Sequence, residues 1–180
     1  TQQGLFEHFQ AVARSVNLPI ILYNVPGRTG CDLSNDTVVK LSQIDNIVAI
    51  KDATGDVARG AALIEAVPDG FAVFSGDDAT ALELMRRGGQ GNVSVTANIA
   101  ARDMAAMCNL ALTGKWEAAA EIDARLSELN DLLFIEANPI PVKWAMAQRG
   151  MIEDGIRLPL TPLSEPCRGD LERALETYFA

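Results

Sequence analysis

Four short apolar segments, each followed by a helical pattern, dominate the first 114 residues of the chain. Their sequences and positions are PIILYNV (19–25), IVAI (47–50), FAVF (71–74) and NVSV (92–95). Because they are nearly continuously apolar, they are typical of strands that are covered on both faces. Strands of this kind, separated by helices, predict a parallel sheet in an α/β fold.

Helices are predicted before, between and after these strands from the spacing of apolar residues. They cover residues 3–15, 34–42, 56–66, 78–87 and 99–113, with Ser34 as the N-cap of the second. No GxGxxG motif follows the first strand, which disfavours a dinucleotide-binding Rossmann fold. The regular alternation favours a (β/α)₈ (TIM) barrel, although such a barrel needs eight strands and only four are predicted.

The pattern changes after Gly114, where helices follow without further strands. Three are predicted, over 115–131, 139–150 and 168–179, and the last connection, LPLTPLSEP, is rich in proline. We therefore expect two regions: residues 1–114 as half of a barrel preceded by a helix, and residues 115–180 as a helical appendage.

The charge balance and the cysteine and histidine counts argue against several classes of protein. Lys and Arg number 15 against 24 Asp and Glu, and the net charge of −9 disfavours binding to nucleic acid or to anionic membranes. No apolar run approaches the roughly 20 residues that span a bilayer, and the first residues lack the pattern of a signal peptide. Three widely spaced cysteines and one histidine predict reduced thiols in a cytoplasmic protein, without a metal site or a disulfide framework.

Lys51 is the candidate nucleophile, because it directly follows the apolar segment 47–50 and catalytic groups of parallel barrels lie at the carboxyl ends of strands. With period-two alternation it shares a face with Ile47 and Ala49, and on a barrel interior its amine would enter an apolar pocket. Desolvation leaves more of the amine neutral, and a neutral amine can attack a carbonyl to form a Schiff base. The alternative is a lysine that reaches solvent or pairs with Asp52.

Two further candidates follow the first strand at the same edge. Tyr23 shares a face with Ile21 and could transfer protons during such a reaction, although taken alone it is better explained as an aromatic residue that lines the barrel. Arg28 lies in the Pro-Gly-rich loop beyond the strand. It could bind a substrate carboxylate through two parallel hydrogen bonds, or it could be a solvated loop arginine.

Other motifs are better explained by structure than by chemistry. The run Gly76–Asp78 predicts a tight turn and an N-cap for the helix at 78–87 rather than a metal site. The run GGQG (88–91) fits a helix stop and a turn rather than a phosphate-binding loop. His8 is expected to be a surface or packing residue, and Lys143 a surface lysine of the helical appendage.

The order and spacing of four motifs resemble one enzyme family. The motifs are YNVPGRTG (23–30), AIKDATGD (49–56), SGDDATALELMRRGGQGNVSVTAN (75–98) and NPIPVKWA (138–145). Together, and over essentially the whole chain, they are similar to the dihydrodipicolinate synthases, in the N-acetylneuraminate lyase superfamily of class I aldolases. The sialic-acid lyases of that superfamily resemble the chain at the tyrosine and the lysine but lack an arginine at the position of Arg28, so PGRTG favours the synthases.

The resemblance implies a lyase of lysine and diaminopimelate biosynthesis that joins pyruvate to L-aspartate 4-semialdehyde, without a cofactor, to give 4-hydroxy-tetrahydrodipicolinate. It assigns the Schiff base with pyruvate to Lys51 and the proton relay to Tyr23. It places the semialdehyde carboxylate at Arg28, the backbone near pyruvate at Val93 and a lining position of the cavity at Gly76. A sister aldolase that acts on another 2-keto acid is the alternative within the superfamily.

The resemblance covers strands five to eight of the family's barrel and its carboxyl-terminal helices. Residues 1–114 are then the second half of the barrel, and residues 115–180 are its C-terminal three-helix region. Half a barrel leaves open sheet edges and an uncovered interior face. We therefore expect a homo-oligomer, as in the family's dimer of dimers, a chain that supplies strands one to four, or a sequence that continues upstream of Thr1. The alternative is a non-catalytic half-barrel that needs a complementary chain.

Overall fold

A computed structural model describes all 180 residues, Thr1–Ala180, which divide into two compact units. The first unit, Thr1–Val93, contains a parallel sheet with its helices, and the second, Ser94–Ala180, is helical. None of the helices combines the length and the apolar character that crossing a membrane requires.

The first unit alternates helices with three strands. Its elements are α1 (Gln2–Ser15), β1 (Ile20–Asn24), α2 (Pro26–Thr29), α3 (Asn35–Leu41), β2 (Ile47–Asp52), α4 (Val57–Ala66), β3 (Ala72–Ser75) and α5 (Ala81–Arg86). The strands are parallel in the order β1-β2-β3, and Tyr23, Lys51 and Phe74 lie side by side on them. The α/β fold with parallel strands, predicted from the apolar segments, is confirmed.

The fourth predicted strand does not form. Only Asn92 bridges to Ser75, and the amide of Val93 donates to the Ser75 carbonyl (2.8 Å). The chain then turns towards the next helix, because the amide of Ala97 donates to Oγ of Ser94 (2.8 Å). This local hydrogen bond competes with strand pairing, which the flanking valines favour.

Helices cover only one face of the sheet. Leu22, Ile50 and Val73, which are neighbours on the three strands, are each 1% exposed and belong to the core beneath the helices. Helix residues that contribute to this core include Val38, Leu41, Leu63 and Leu84. The opposite face, hereafter the open face, carries Ile21 and Tyr23, which are 54% and 46% exposed. The apolar sequences of the strands predict cover on both faces. Within this chain only one face is covered.

A register shift near the start of β2 changes which residues share the open face. The pairing jumps from Ile47 to Ala49 between consecutive residues of β1, so Val48 is an extra residue that interrupts the alternation. Ile47 consequently lies in the helix-covered core. The prediction that Lys51 shares a face with Ile47 is therefore wrong, whereas Ala49, two residues before Lys51, remains on its face.

Side-chain caps fix where two helices next to the strands begin. Oγ of Ser34 accepts a hydrogen bond from the amide of Thr37 (3.4 Å) ahead of α3, as predicted. Oδ1 of Asp56 accepts one from the amide of Arg59 (3.0 Å) ahead of α4. Each cap supplies an acceptor to an amide that has no partner within its helix.

The turn after β3 differs in detail from the prediction. Helix α5 begins at Ala81 rather than at residue 78, and Thr80 precedes it without a side-chain cap. Oδ2 of Asp77 accepts hydrogen bonds from the amide and the hydroxyl of Thr80 (3.2 and 2.6 Å). Asp78 is buried and accepts one from Nδ2 of Asn92 (2.7 Å). The GDD run forms a tight turn, as predicted, but it does not cap the helix.

The second unit consists of four helices around a core of its own. They are α6 (Ala97–Leu112), α7 (Trp116–Leu132), α8 (Ile140–Gln148) and α9 (Glu165–Phe179). The fully buried residues of this core include Leu133, Ala145, Leu163 and Leu171. The two units divide between residues 93 and 94, ahead of α6, whereas the change in sequence pattern predicts a boundary at residue 114, after α6. The predicted regions 1–114 and 115–180 remain predictions about a larger fold.

Candidate active site

Lys51 and Tyr23 face each other across neighbouring strands. Their backbone positions are paired in the register of β1 and β2, and each lies one residue before the end of its strand. Nζ of Lys51 lies 4.1 Å from the centroid of the Tyr23 ring. Because the electron-rich ring face attracts an ammonium group, this contact places the lysine side chain over the phenol at the open face.

Gly76 borders the Lys51 side chain, as the ring of Tyr23 does. Its amide donates to the carbonyl of Asp52 (2.8 Å), which fixes its backbone next to β2. A β-carbon at residue 76 would lie 2.7 Å from Cε of Lys51, 3.0 Å from Cγ of the same side chain and 2.8 Å from Cβ of Ala53. Carbon atoms in contact are separated by about 3.5–4.0 Å. Only glycine therefore leaves room for Lys51 in this position.

Val93 lies at the same edge of the sheet, on the far side of β3 from β2. The hydrogen bond from its amide to the Ser75 carbonyl places it beside the residue that precedes Gly76. Its side chain is 46% exposed. The residue predicted to present its backbone to a substrate is thus hydrogen-bonded to the residue before the glycine that borders Lys51.

Arg28 lies on a short helix where the sequence predicts only a loop. Pro26 occupies the first position of α2, and Gly30 ends the helix with a φ of 65°, its amide donating to the Pro26 carbonyl (2.9 Å). Arg28 is exposed and follows the end of β1, so it stands at the carboxyl edge of the sheet, as Tyr23 and Lys51 do. All the predicted site residues therefore belong to one edge of one sheet.

A second row of polar residues, absent from the predicted site, ends the three strands on the helix-covered face. Asn24, Asp52 and Ser75 are the last strand residues, and all three are buried. Oδ2 of Asp52 accepts a hydrogen bond from Oγ1 of Thr54 (3.0 Å), and Nδ2 of Asn24 donates to Oδ1 of Asp32 (2.9 Å). The available sequence signal is a polar residue at the end of each apolar strand, which alternation assigns to the face opposite the candidate nucleophile.

Asp52 is the buried carboxyl group of this second row. Burial raises the pKa of Asp52 above its usual value, because desolvation disfavours the carboxylate. The hydrogen bond from Thr54 and the positive charge of Arg59 oppose this rise. Immediately behind the candidate nucleophile the chain thus holds an acidic group whose charged form is disfavoured.

The candidate side chains at the carboxyl edge of the sheet can together transform a carbonyl compound. The amine of Lys51 can attack a carbonyl carbon and form first a carbinolamine and then an imine. The phenol of Tyr23, against which the lysine lies, can donate and accept the protons that these steps require. The guanidinium of Arg28 can bind a carboxylate through paired hydrogen bonds.

The chain matches the model of the Dihydrodipicolinate synthetase family over residues 1–178. Among curated relatives, the 4-hydroxy-tetrahydrodipicolinate synthase of Nitrosomonas europaea is 57% identical over 175 residues, and that of Marinobacter nauticus is 57% identical over 177 residues. The alignments cover 97% and 98% of this chain but 60% and 61% of the two relatives. The chain therefore spans about three fifths of the length of the curated relatives it matches.

Solved structures show the same similarity. The crystal structure of dihydrodipicolinate synthase from Acinetobacter baumannii complexed with pyruvate matches with a TM-score of 0.97 at 55% identity, covering 99% of this chain and 62% of that one. The structure of the synthase from Aquifex aeolicus matches with a TM-score of 0.97 at 42% identity, covering 99% and 61%. Fold, site motifs and nearly complete coverage by the family model agree. The chain belongs to the dihydrodipicolinate synthetase family.

Proposed function

We propose that the protein condenses pyruvate with L-aspartate 4-semialdehyde to 4-hydroxy-tetrahydrodipicolinate, in lysine and diaminopimelate biosynthesis. The observation that carries this proposal is the placement of Lys51 at the carboxyl edge of the sheet, between the ring of Tyr23 and the backbone of Gly76. The names of the curated relatives and the pyruvate complex of the Acinetobacter baumannii synthase support the same product and first substrate.

The reaction begins with the neutral amine of Lys51 attacking the keto carbon of pyruvate. A C–N bond forms, the keto oxygen takes up a proton to give a carbinolamine, and loss of water gives the imine. The protonated imine withdraws electrons from the neighbouring methyl carbon, which loses a proton to form an enamine. The enamine carbon then attacks the aldehyde carbon of the semialdehyde, and the amino group of that substrate displaces Lys51 as the ring closes.

Tyr23 serves as the proton relay in this proposal. Water leaves the carbinolamine only after its hydroxyl group is protonated, and the nitrogen of the adduct must lose protons on the way to the imine. The distance of 4.1 Å from Nζ to the ring centroid places the phenol ring beside the adduct that would form on Nζ. A positioned acid–base group contributes about 10²–10⁴-fold to such steps.

Arg28 is the proposed binding group for the carboxylate of the semialdehyde. It lies on α2 immediately beyond the strand that carries Tyr23, and it is exposed to the space where a second substrate would approach. Val93 is proposed to present its backbone to pyruvate, and Gly76 to line the cavity beside the imine. Together these assignments place pyruvate at Lys51 and the second substrate towards α2.

We infer further that the three strands and the bridge at Asn92 correspond to strands five to eight of the barrel, and residues 115–180 to its carboxyl-terminal helices. The open face supports this assignment, since its apolar residues would be buried if four further strands closed the barrel. Those strands would belong to a longer form of the protein or to another chain. As in the family, we expect a homo-oligomer in the cytoplasm that uses no cofactor.

Imine formation is tested by incubating the protein with pyruvate and reducing the mixture with borohydride. The expected result is a covalent mass of pyruvate minus water plus two hydrogens on the peptide that contains Lys51. Trypsin should no longer cleave after the modified residue. Lys51→Arg should abolish the adduct, whereas the matched variant Lys143→Arg should retain it.

The second substrate is tested by turnover with different aldehydes. Consumption of pyruvate should require aspartate semialdehyde, and sugar aldehydes should not replace it. A protein that forms the adduct but consumes pyruvate only with another aldehyde would be a sister aldolase. A protein that forms no adduct, in an assembly with a complete barrel, would contradict the proposed reaction and favour a non-catalytic half-barrel.

A further inference from the structure

The guanidinium of Arg59 binds residues 32–35, hereafter the anchored segment, through all three of its nitrogens. Nη1 donates to Oδ2 of Asp32 (2.8 Å), Nη2 donates to the carbonyl of Leu33 (2.7 Å) and Nε donates to Oδ1 of Asn35 (3.3 Å). Nδ2 of Asn35 in turn donates to the carbonyl of Arg59 (3.0 Å). Because the guanidinium is planar and rigid, this fork fixes both the place and the direction of the segment.

The anchored segment is also bound to the end of β1. Oδ1 of Asn24 accepts a hydrogen bond from the amide of Leu33 (3.0 Å), while Nδ2 of Asn24 donates to Oδ1 of Asp32 (2.9 Å). Asn24 is 3% exposed and directly follows Tyr23. The anchored segment is therefore attached to the same strand end that carries Tyr23, the proposed proton relay.

Gln2 of α1 provides a third attachment. Its Nε2 donates to the carbonyl of Asp32 (2.7 Å), and its Oε1 accepts from the amide of Ser34 (3.1 Å) and from Oγ1 of Thr37 (2.7 Å). The anchored segment is thus bound by side chains from three separate elements. A loop that served only as a connection would not require so many long-range contacts.

The Arg59–Asp32 pair is less exposed than the ion pairs on the surface of the unit. The side chain of Arg59 is 23% exposed, compared with 59% for Arg87, which pairs with Glu83. The hydrogen bond from Arg59 lowers the pKa of Asp32, so the pair stays charged at neutral pH. The nearby carboxyl of Asp52 adds to the electrostatic stabilisation of the guanidinium. Partly buried, charge-assisted bonds of this kind are stronger than exposed ones.

The anchored segment and Asn24 hold the two ends of residues 25–31, the loop that carries Arg28. We propose that Arg59 is a positioning residue for the second substrate: by fixing the anchored segment, it sets where Arg28 stands and so how the semialdehyde carboxylate is bound. This inference rests on the proposed function, because it takes Arg28 as the carboxylate-binding group. It adds a residue on α4, outside the open face, to the determinants of substrate binding.

Loss of the hydrogen bonds from the Arg59 guanidinium should affect the reaction with pyruvate and the binding of the semialdehyde differently. Tyr23 is held by the pairing of β1 with β2, and Lys51 by that pairing and by the backbone of Gly76, so the rate of imine formation with pyruvate should change little when the fork is lost. The position of Arg28 does depend on it. If Arg59 contributed only to overall stability, its loss would change the kinetics with both substrates equally, or with neither, at temperatures below unfolding.

The test uses Arg59→Leu and Arg59→Lys in the catalytically active assembly of the protein. With saturating pyruvate, the KM for aspartate semialdehyde should rise about ten- to a hundredfold in both variants, because a lysine ammonium cannot bridge three acceptors. The rate of pyruvate trapping at Lys51 should stay within about twofold of the parent. Arg87→Leu removes an exposed ion pair, in which Nε of Arg87 lies 3.1 Å from Oε1 of Glu83. It should change neither the KM for the semialdehyde nor the rate of pyruvate trapping.

A folded Arg59→Leu variant with an unchanged semialdehyde KM would overturn the inference. If that variant does not fold, Asp32→Asn removes one charge at constant shape and should give a smaller rise in the same KM. Hydrogen exchange provides a readout independent of activity: the amides of residues 28–30, which donate to the carbonyls of Val25 and Pro26, should exchange faster in Arg59→Leu. Unchanged exchange would also overturn the inference, whereas a parent protein that forms no pyruvate adduct would refute the proposed function alone.

Discussion

Replacing Gly76 with alanine should displace Lys51 and slow the formation of its pyruvate adduct. The new β-carbon would lie 2.7 Å from Cε of Lys51, whereas carbon atoms in contact are about 3.5–4.0 Å apart, so the lysine must move by about 1 Å. The glycine backbone cannot easily yield, because its amide is bound to the carbonyl of Asp52 at 2.8 Å. Cβ of Ala53, 2.8 Å from the new atom, blocks movement on the other side.

The expected effect is larger on chemistry than on stability. A misplacement of about 1 Å at a reacting atom can slow a reaction by about a hundredfold, which corresponds to about 2.7 kcal/mol of activation free energy. Overpacking of a rigid core costs about 1–3 kcal/mol of folding free energy. We expect the lower end, about 1 kcal/mol, because Lys51 is long and only half-buried and can move towards solvent.

The assay is the rate of borohydride-trapped pyruvate adduct, followed by intact mass, together with Tm from thermal unfolding. Gly169→Ala, in the second turn of α9, is the matched control, since nothing lies within 4 Å of the β-carbon that the alanine would add. It should leave the trapping rate unchanged and stabilise the helix by about 0.5–1 kcal/mol. A Gly76→Ala variant that traps pyruvate at the parent's rate would refute the steric reasoning.

Three further changes address the other groups. Tyr23→Phe should lower kcat by about 10²–10⁴-fold through loss of proton transfer, and steady-state kinetics with both substrates would measure it; an unchanged kcat would remove the phenol from the mechanism. Arg28→Ala should lower kcat/KM for aspartate semialdehyde by about a hundredfold or more while pyruvate trapping persists, and equal activity would favour a sister aldolase. The raised pKa of Asp52 means that its contribution to stability is fully present below the unfolded value of 3.8 and is lost as pH rises through the folded pKa. The free energy of unfolding of Asp52→Asn, measured relative to the parent with urea, should therefore increase from about pH 3 to about pH 7, and a constant difference would contradict this.

The sequence predicted the first three strands and most of the helices because these depend on short-range patterns. Apolar runs identify the first three strands and therefore place Tyr23 and Lys51 near the carboxyl ends of neighbouring strands. The structure extends β2 beyond the predicted segment, so that Lys51 is its last residue but one. Caps are equally local, since Ser34 lies three residues from the amide that it binds. The common location of the candidate site residues could be predicted for the same reason, since they lie at strand ends that parallel pairing brings to one edge; their roles stay predictions.

What could not be predicted depends on register and on distant side chains. The extra residue Val48 moves Ile47 to the other face, and no local pattern indicates that shift. Ser94 ends the fourth predicted strand through a hydrogen bond that hydrophobicity does not reveal. The contact between Arg59 and Asp32 joins residues separated by 27 positions, so only the folded chain shows that the two charges meet.

The attachment of residues 25–31 at both ends has a consequence for experiments that would alter the proposed substrate specificity. Asn24, Arg59 and Gln2, which hold the neighbouring segment, all lie outside this stretch. A library that randomises residues 25–31 would therefore sample new substrate contacts while the hydrogen bonds that hold the neighbouring segment stay in place. In an Arg59 variant the same library would change the proposed substrate contacts and the position of the loop together, so randomisation should be confined to residues 25–31 and should leave Arg59 unchanged.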